Sequence, residues 1–154
     1  MIEEKAGDCL WEYNNILKEN DNIYRDLAKR LGLSVCQFWI LYTLRTESLP
    51  PSQRDICASL YLPKQTINSA LKKMEMEGYL ALAPGKDHRS KRIILTPEGI
   101  LLCEKTVDQI IAIERSAFAD LSKEKQALFL SLFRQYNDLL KTYVNEAFRN
   151  EKKR

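Results

Sequence analysis

The sequence contains little of what several protein classes require. Its 154 residues include only 5 glycines and 5 prolines, which is too few for a collagen-like repeat or an array of flexible linkers. It has no run of about 18 apolar residues, so no membrane-spanning helix and no membrane partner are expected. The N-terminal segment, residues 1–8, is acidic and lacks the basic and then apolar pattern of a secretory signal. We therefore expect a folded protein in the cytoplasm.

The sequence has only one histidine and no closely spaced pair of cysteines, which argues against a metal site and against catalysis by histidine. His88 is the single histidine and the cysteines form no C-x-x-C pair, so a zinc site or a common catalytic histidine site lacks its partners. The carboxylates lie at spacings with no nearby base or phosphate-binding loop. We therefore expect no metal, no cofactor and no enzymatic activity. The four cysteines, which we interpret as buried thiols rather than as two disulfides, are Cys9, Cys36, Cys57 and Cys103.

Positive charge is present, and it is concentrated in two short segments. The formal net charge is only +3, but residues 64–73 contain three lysines and no acid, and residues 86–92 contain four basic residues and one aspartate. These 17 positions hold a charge of +6, so the other 137 sum to −3. Such a local excess of positive charge indicates a polyanionic partner.

The hydrophobic pattern predicts helices along most of the chain, because apolar residues recur with a period of about 3.6. The first helix is expected over about 8–31, loosened near residues 20–22, with Gly32 as its stop signal. The second begins at Ser34, whose spacing to Gln37 has the S-x-x-Q form of a capping box. This second helix should be heavily apolar and roughly a dozen residues long.

Two short helices joined by a tight turn are predicted next. The first, over about 52–60, begins with another capping signature after a pair of prolines. The second, over about 63–77, has Pro63 in its first turn, where a missing N–H is tolerated, and Gly78 as its C-cap. Two helices separated by a connection of about three or four residues have helix-turn-helix spacing. The candidate site residues at the entry to the helix-turn-helix, where the first of these helices begins, are Ser52, Gln53 and Arg54.

The second helix of this pair has a polar face without carboxylates. When successive residues are placed 100° apart around the helix axis, the positions that face inward are Ile67, Ala70, Leu71 and Met74. Lysine binds phosphate or guanine, and glutamine or asparagine can bond an adenine edge, so the opposite face suits a DNA groove. A merely solvated helix face is the alternative. The residues of this helix assigned to DNA are Lys64, Gln65, Thr66, Asn68, Ser69, Lys72 and Lys73.

After Gly78 the pattern changes from helix to two short apolar runs, at 79–83 and 92–96, separated by a polar, basic loop. We interpret these as an antiparallel hairpin with a basic tip, or wing, over 79–96. The order of elements predicts a mainly α fold with a small β-hairpin, of the α+β class: a winged helix-turn-helix flanked by long N- and C-terminal helices.

The C-terminal region predicts a contact with a second chain. Thr96 and Pro97 start a helix expected to reach about Asp120, and Ser122 caps a last helix. That last helix has two adjacent apolar seams, whereas packing in one core needs only one. The seams are Leu128, Leu132, Tyr136, Leu139 and Tyr143, and Phe129, Phe133, Leu140, Val144 and Phe148. We therefore expect one compact chain with a winged helix-turn-helix at 34–97 and a helical dimerisation region formed by 1–33 and 98–154.

Residues 62–80 and 87–96 resemble the recognition helix and the wing of the multiple-antibiotic-resistance regulator (MarR) family of bacterial transcription factors. The second segment has the wing pattern D-x-R-x-[KR]-x-x-x-L-T. The resemblance implies a homodimeric regulator, usually a repressor, with recognition helices in successive major grooves of palindromic double-stranded DNA. It also implies release of DNA when a small phenolic ligand, a metal or an oxidant acts. Pro63 departs from the family pattern, which often has a serine cap there.

In the wing, the resemblance implies that Arg89 enters the minor groove and that Asp87 orients it. The wing residues assigned to DNA are Lys86, Asp87, Arg89 and Lys91. His88 is interpreted as a bystander on the loop.

Three alternatives stay open at the sequence level. A small aromatic or phenolic effector could bind a cleft lined by aromatic residues that could equally belong to the core, namely Trp11, Phe38, Trp39 and Tyr42. Cys9 lies in the first helix, where peroxide-sensing relatives place a reactive thiol, although its charged neighbours Asp8 and Glu12 are acidic and it lacks a basic neighbour that would activate it. The chain could then be a thiol-based redox regulator, or a winged-helix module that binds protein instead of DNA.

Overall fold

The computed structural model describes residues 9–85 and 91–149. Within these ranges the chain forms seven helices and one two-stranded antiparallel sheet, which confirms the predicted fold class. The elements are α1 (Cys9–Arg30), α2 (Val35–Thr46), α3 (Gln53–Leu60), α4 (Lys64–Met76), β1 (Leu80–Pro84), β2 (Lys91–Leu95), α5 (Pro97–Lys105), α6 (Val107–Ala119) and α7 (Lys123–Ala147).

The chain divides into two compact units, Met1–Ile111 and Ala112–Arg154. In the first unit, α1 packs on α2, and α5 packs on α2 and β2. The N-terminal helix therefore shares a core with the helix-turn-helix. The assignment of residues 1–33 and 98–154 to dimerisation stays a prediction.

Helix α2 lies at the centre of the first unit. It contacts α1, α3, α4, α5 and β2, which explains why its sequence is apolar on several sides. Phe38, Ile40 and Leu41 are completely buried. The predicted capping box starts this helix: Gln37 N donates to Ser34 Oγ at 3.1 Å, and Ser34 N donates to Gln37 Oε1 at 3.0 Å.

Helix α1 is continuous, so the predicted loosening at residues 20–22 is wrong. The polar side chains there are exposed and do not compete with the helical backbone. Arg25 Nε donates to Asp21 Oδ2 at 2.9 Å, an i,i+4 pair that supports the helix at this point. Ala28, near the end of α1, is completely buried against the core.

The single long helix predicted from Pro97 to Asp120 is also wrong, because it is interrupted between α5 and α6. Thr106 has a non-helical backbone, with φ −130° and ψ −95°, and its hydroxyl donates to the Leu102 carbonyl at 2.6 Å. Arg45 of α2 forms a two-pronged ion pair with Asp108 in the first turn of α6, including a 2.7 Å bond from Nε to Oδ1. A bond between residues 63 positions apart fixes the start of α6 independently of α5.

The hairpin strands lie one residue from their predicted positions. Leu80 pairs with Leu95 and Leu82 with Ile93. Thr96 is excluded from the strand because its Oγ accepts the Gly99 N–H at 3.0 Å and so caps α5, as predicted. Its N–H closes the open end of the hairpin by donating to Tyr79 O at 3.1 Å.

The second unit contains the end of α6 and all of α7. Ser122 caps α7 as predicted, accepting the Lys125 N–H at 3.3 Å. Phe118 and Phe129 meet edge to face with ring centroids 6.2 Å apart, and Phe129 stacks on Phe133 at 6.0 Å. Over residues 123–147 no side chain of α7 is buried in the single chain. Both apolar seams of α7 therefore face solvent for most of their length.

None of the helices in the described ranges is long and apolar enough to cross a membrane.

Candidate nucleic-acid interface

The two faces of α4 differ as predicted. Ile67, Ala70, Leu71 and Met74 are buried and fix the helix on the core. Asn68, on the polar face, is half-buried. The remaining residues assigned to DNA are exposed to solvent, namely Lys64, Gln65, Thr66, Ser69, Lys72 and Lys73. A rigid helix therefore presents amides, hydroxyls and ammonium groups along one side.

The N-terminus of α4 begins at Pro63, which occupies the N-cap position and not the first helical turn as predicted. Among the described residues, no side chain caps this end. The backbone N–H groups of the first turn and the Lys64 ammonium thus point positive charge outward from the same end of the helix, an arrangement that attracts anions such as phosphate. At the other end the C-cap is Glu77 and not Gly78 as predicted; Gly78 is the next residue and ends the helix in a left-handed conformation, with φ +80°.

The start of α3 uses its three predicted residues in different ways. Ser52 caps the helix, since its Oγ accepts the Asp55 N–H at 3.2 Å and donates to Asp55 Oδ2 at 2.8 Å. Gln53 donates from Nε2 to Oδ1 of Asn68 on α4. Arg54 is exposed and leaves a cation on this side of the helix-turn-helix.

The base of the wing is attached directly to α3. Arg92 Nη1 donates to Asp55 Oδ2 at 3.1 Å, and Ile93 N donates to Pro51 O at 2.9 Å. Hydrogen bonds from Ser52, with Arg92 and Arg54 nearby, hold the pKa of Asp55 below its ordinary value of 3.8. The carboxylate therefore stays ionised near neutral pH and fixes Arg92.

Sequence reasoning missed this attachment of the wing to α3. From the sequence, Asp55 is the acid of the capping signature at 52–55, and Arg92 belongs to the basic segment 86–92 and to the second strand. The alternating pattern of β2 indicates only that Arg92 lies on the opposite face of the sheet from buried Ile93; it does not identify Asp55 as the partner.

The tip of the wing lies outside the described residues, and with it Lys86, Asp87, His88 and Arg89. Lys91, the remaining predicted wing residue, is exposed at the start of β2. The sequence assignments at the tip therefore stay predictions.

A groove of about 300 Å³ lies between α4 and the hairpin. Its polar lining comes from the helices and its apolar lining from the hairpin and α4. The lining residues are Gln53, Asn68, Leu71, Lys72, Glu75, Leu80, Ala81, Leu82 and Ile93. The groove brings Gln53, Asn68 and Lys72 together on the side of α4 that faces the wing.

The four aromatic residues assigned to an effector cleft are in different environments. Phe38 is completely buried, Trp39 and Tyr42 are half-buried beside it, and Trp11 is exposed near the start of α1. Trp39 packs edge to face on Phe38, with ring centroids 5.0 Å apart, and on Tyr42 at 5.4 Å. Tyr24, 5.0 Å from Trp39, completes this aromatic cluster; its place in the apolar stripe of α1 was the available signal.

All four cysteines lie in the described part of the chain and are free thiols. Cys36 and Cys103 are buried, Cys57 is half-buried and Cys9 is exposed. Burial raises the pKa of the Cys103 thiol to about 11 and raises that of Cys36 as well. Neither buried thiol is thus activated for redox chemistry. Within the described ranges, histidine, cysteine and carboxylate side chains form no group of three that could hold a metal ion.

Comparison with known proteins places this arrangement in a family. The sequence model of the MarR family matches residues 31–90, which contain α2, α3, α4 and β1. An uncharacterized HTH-type transcriptional regulator of Bacillus subtilis, YwoH, is 30% identical over 68% of this chain and 76% of the relative. The organic hydroperoxide resistance transcriptional regulator of the same organism is 32% identical over 75% of this chain and 80% of the relative.

The fold agrees with solved structures. A MarR family regulator from Neisseria meningitidis superimposes with a TM-score of 0.77 at 20% identity, covering 91% of this chain and 99% of that one. The relatives are transcriptional regulators and not enzymes. With the matched helix-turn-helix and the polar face of α4, these similarities show that the chain belongs to the MarR family of DNA-binding transcriptional regulators.

Proposed function

We propose that this protein is a homodimeric repressor that binds a palindromic DNA duplex through α4 and the wing. The observation that carries the proposal is the acid-free, solvent-facing side of α4 above a buried apolar side. Lysine, amide and hydroxyl groups on a helix held this firmly can contact phosphates and base edges in a major groove. Residues 64–73 contain no carboxylate that would repel the DNA backbone.

The position of the hairpin supports a wing that reaches DNA beside α4. Arg92 and Ile93 attach β2 to the start of α3, so the strands extend from the same surface that carries Arg54. Residues 86–90, which connect the two strands, contain the basic side chains that the sequence assigns to the tip. From that end Arg89 enters an adjacent minor groove, where its contribution is mainly electrostatic.

The exposed seams of α7 support dimerisation. Phe129 is 53% exposed and Leu132 is 54% exposed in the single chain, and an apolar surface of this length is usually covered by a partner. A dimer carries two copies of α4, one for each half-site of a palindrome.

Binding to a duplex from the region upstream of the protein's own gene tests the proposal. Fluorescence anisotropy at several salt concentrations should give high affinity for this duplex and a steep loss of affinity with salt. A scrambled duplex of equal length is the control. Salt-independent or absent binding to both would favour a module that binds protein. Transcription in vitro from the same promoter should fall on addition of the protein, since we propose repression.

We further propose that a small aromatic or phenolic effector modulates DNA binding. The half-buried rings of Trp39 and Tyr42, which meet edge to face, support this, because pockets for such ligands are lined mainly by apolar and aromatic side chains. Salicylate is a suitable probe: it should weaken DNA binding, and Trp39→Ala should remove that effect without changing binding in its absence.

A thiol-based mechanism is the second candidate, because one relative is an organic hydroperoxide resistance regulator and Cys9 is exposed. Treatment with cumene hydroperoxide separates the two mechanisms. Under the effector proposal the peroxide leaves DNA binding unchanged. If it releases DNA and Cys9→Ser prevents the release, control is exerted through the thiol.

A further inference from the structure

One side-chain hydrogen bond joins the two helices of the helix-turn-helix on the polar side of α4. Nε2 of Gln53, the first residue of α3, donates to Oδ1 of Asn68. Asn68 lies between Gln65 and Lys72 on the face that we assign to the major groove. The two amides also line one groove together, beside the hairpin. Gln53 of α3 therefore contacts Asn68 of α4, a candidate for direct contact with a DNA base.

An asparagine amide presents an acceptor oxygen on one side and a two-proton donor on the other. Rotation by about 180° exchanges them, so an isolated asparagine at a surface offers both arrangements. The bond from Gln53 holds the Asn68 oxygen toward α3 and leaves its NH₂ group on the opposite side. The oxygen keeps a second lone pair, so both groups remain available to a base.

The order of donor and acceptor matters in the major groove. Adenine presents its N7 acceptor beside its N6 donor, and reversing an A·T pair to T·A reverses the order of these groups across the groove. An asparagine of fixed orientation matches one order, whereas a freely rotating one matches both. The orientation of Asn68 can thus decide which strand carries the preferred base.

We propose that Gln53 is a positioning residue for specificity: it fixes the amide of Asn68, which then distinguishes a base pair from its reversed form at one position of each half-site. This rests on the proposed function, in which α4 enters the major groove. The carrying observation is the Gln53–Asn68 bond between α3 and α4.

The test begins with the wild-type protein and a pool of duplexes randomised over about 20 base pairs, enough for two half-sites one turn apart. The selected duplex is then changed one base pair at a time. Asn68→Ala identifies the position that Asn68 reads, because preference should disappear there alone. At that position the wild type should prefer one base pair over its reversed form by roughly 5- to 150-fold.

Two changes at Gln53 then test the orientation. In Gln53→Glu the new carboxylate can only accept, so Asn68 must turn its NH₂ group toward α3 and present its oxygen on the other side. The preference at the identified position should reverse. Gln53→Leu, an uncharged variant of similar size, releases the amide and should bring the ratio between the two forms close to one. A thermal melt checks folding; an acid in the first turn of α3 should be tolerated.

A double variant, Gln53→Glu with Asn68→Ala, separates orientation from charge. It should show the same lack of preference as Asn68→Ala alone, since Gln53 acts through Asn68. If the Gln53 variants weaken every duplex equally and leave the preference intact, the inference is overturned and DNA binding by α4 stands. The inference also fails if Asn68→Ala changes no preference. If the wild type selects no duplex from the pool, the proposed function fails as well.

Discussion

Replacing Gly99 by alanine tests how closely α5 packs on the base of the wing. Gly99 is buried in the first turn of α5. A Cβ atom added there would lie 2.0 Å from the Tyr79 carbonyl oxygen, 3.0 Å from the Tyr79 carbonyl carbon and 3.2 Å from Leu95 Cδ2. The first two atoms are backbone, and Tyr79 O also accepts the Thr96 N–H. Neither can move aside without shifting the hairpin.

The sign of the effect separates packing from helix propensity. Within a helix, alanine is favoured over glycine by about 1 kcal/mol, so propensity alone predicts a more stable protein. Forcing a methyl group into a filled site costs about 1–3 kcal/mol or more, and a contact with rigid backbone should lie at the upper end of that range. We expect the free energy of unfolding to fall by about 1–2 kcal/mol.

Urea unfolding followed by circular dichroism measures this at one fixed protein concentration, since a dimer's stability depends on concentration. The midpoint should fall by roughly 0.5–1 M with an unchanged slope. Gly78→Ala is the matched control: no described atom lies within 4 Å of its added Cβ, so only the left-handed backbone, φ +80°, is penalised. Gly99→Ala should shift the wing and weaken DNA binding, which Gly78→Ala need not do. A Gly99→Ala protein as stable as wild type would refute the packing argument.

Four further changes probe other parts of the molecule. Arg89→Ala should weaken cognate and random duplexes together and reduce the slope of log affinity against log salt by about one charge per subunit; an altered sequence preference with intact random binding would contradict this. Gln65→Ala should leave that slope unchanged and cost about 1–3 kcal/mol per half-site on the cognate duplex only. Tyr61 has φ 51° and is 93% exposed, so Tyr61→Gly should relieve backbone strain and raise the free energy of unfolding by about 1 kcal/mol, as urea titration would show. Hydrogen bonds from Ser52, and to a smaller extent Arg92, lower the pKa of Asp55, so they stabilise the folded state above pH 3.8, and this contribution is lost as the pH falls through the folded value; Asp55→Asn should flatten the acid limb of the stability profile, and an unchanged limb would show that these contacts of the Asp55 carboxylate contribute nothing to stability.

The features that the sequence predicted correctly depend on residues close together in the chain. Ser34 reaches Gln37 within one helical turn, and Thr96 reaches Gly99 in the same way. The buried side of α4 follows from its period, because Ile67 and Met74 lie two turns apart on one face. Local hydrogen bonding and periodicity are sufficient for these features.

The features that the sequence missed depend on distant partners. Arg45 meets Asp108 across 63 positions, Asp55 meets Arg92 across 37, and Gln53 meets Asn68 across 15. The break at Thr106 belongs with them, since an apolar helical pattern continues through it and only the fold separates α5 from α6. A hydrophobic period shows which side of a helix or strand is buried. It does not show which polar side chains of two different elements will contact each other.

Contacts in the apolar core and exposed polar contacts between elements differ in strength. The difference bears on how the sequence preference of a DNA-binding regulator can change. Truncating a buried side chain such as Ile67 or Met74 to alanine costs about 2–5 kcal/mol. An exposed ion pair such as that of Arg92 with Asp55 contributes far less to stability. The core fixes α4, whereas exposed polar contacts hold the side chains that we propose to read DNA. We therefore expect substitutions at positions such as Gln53 to alter recognition and leave the fold intact, so that specificity can change by single substitutions that folding does not oppose.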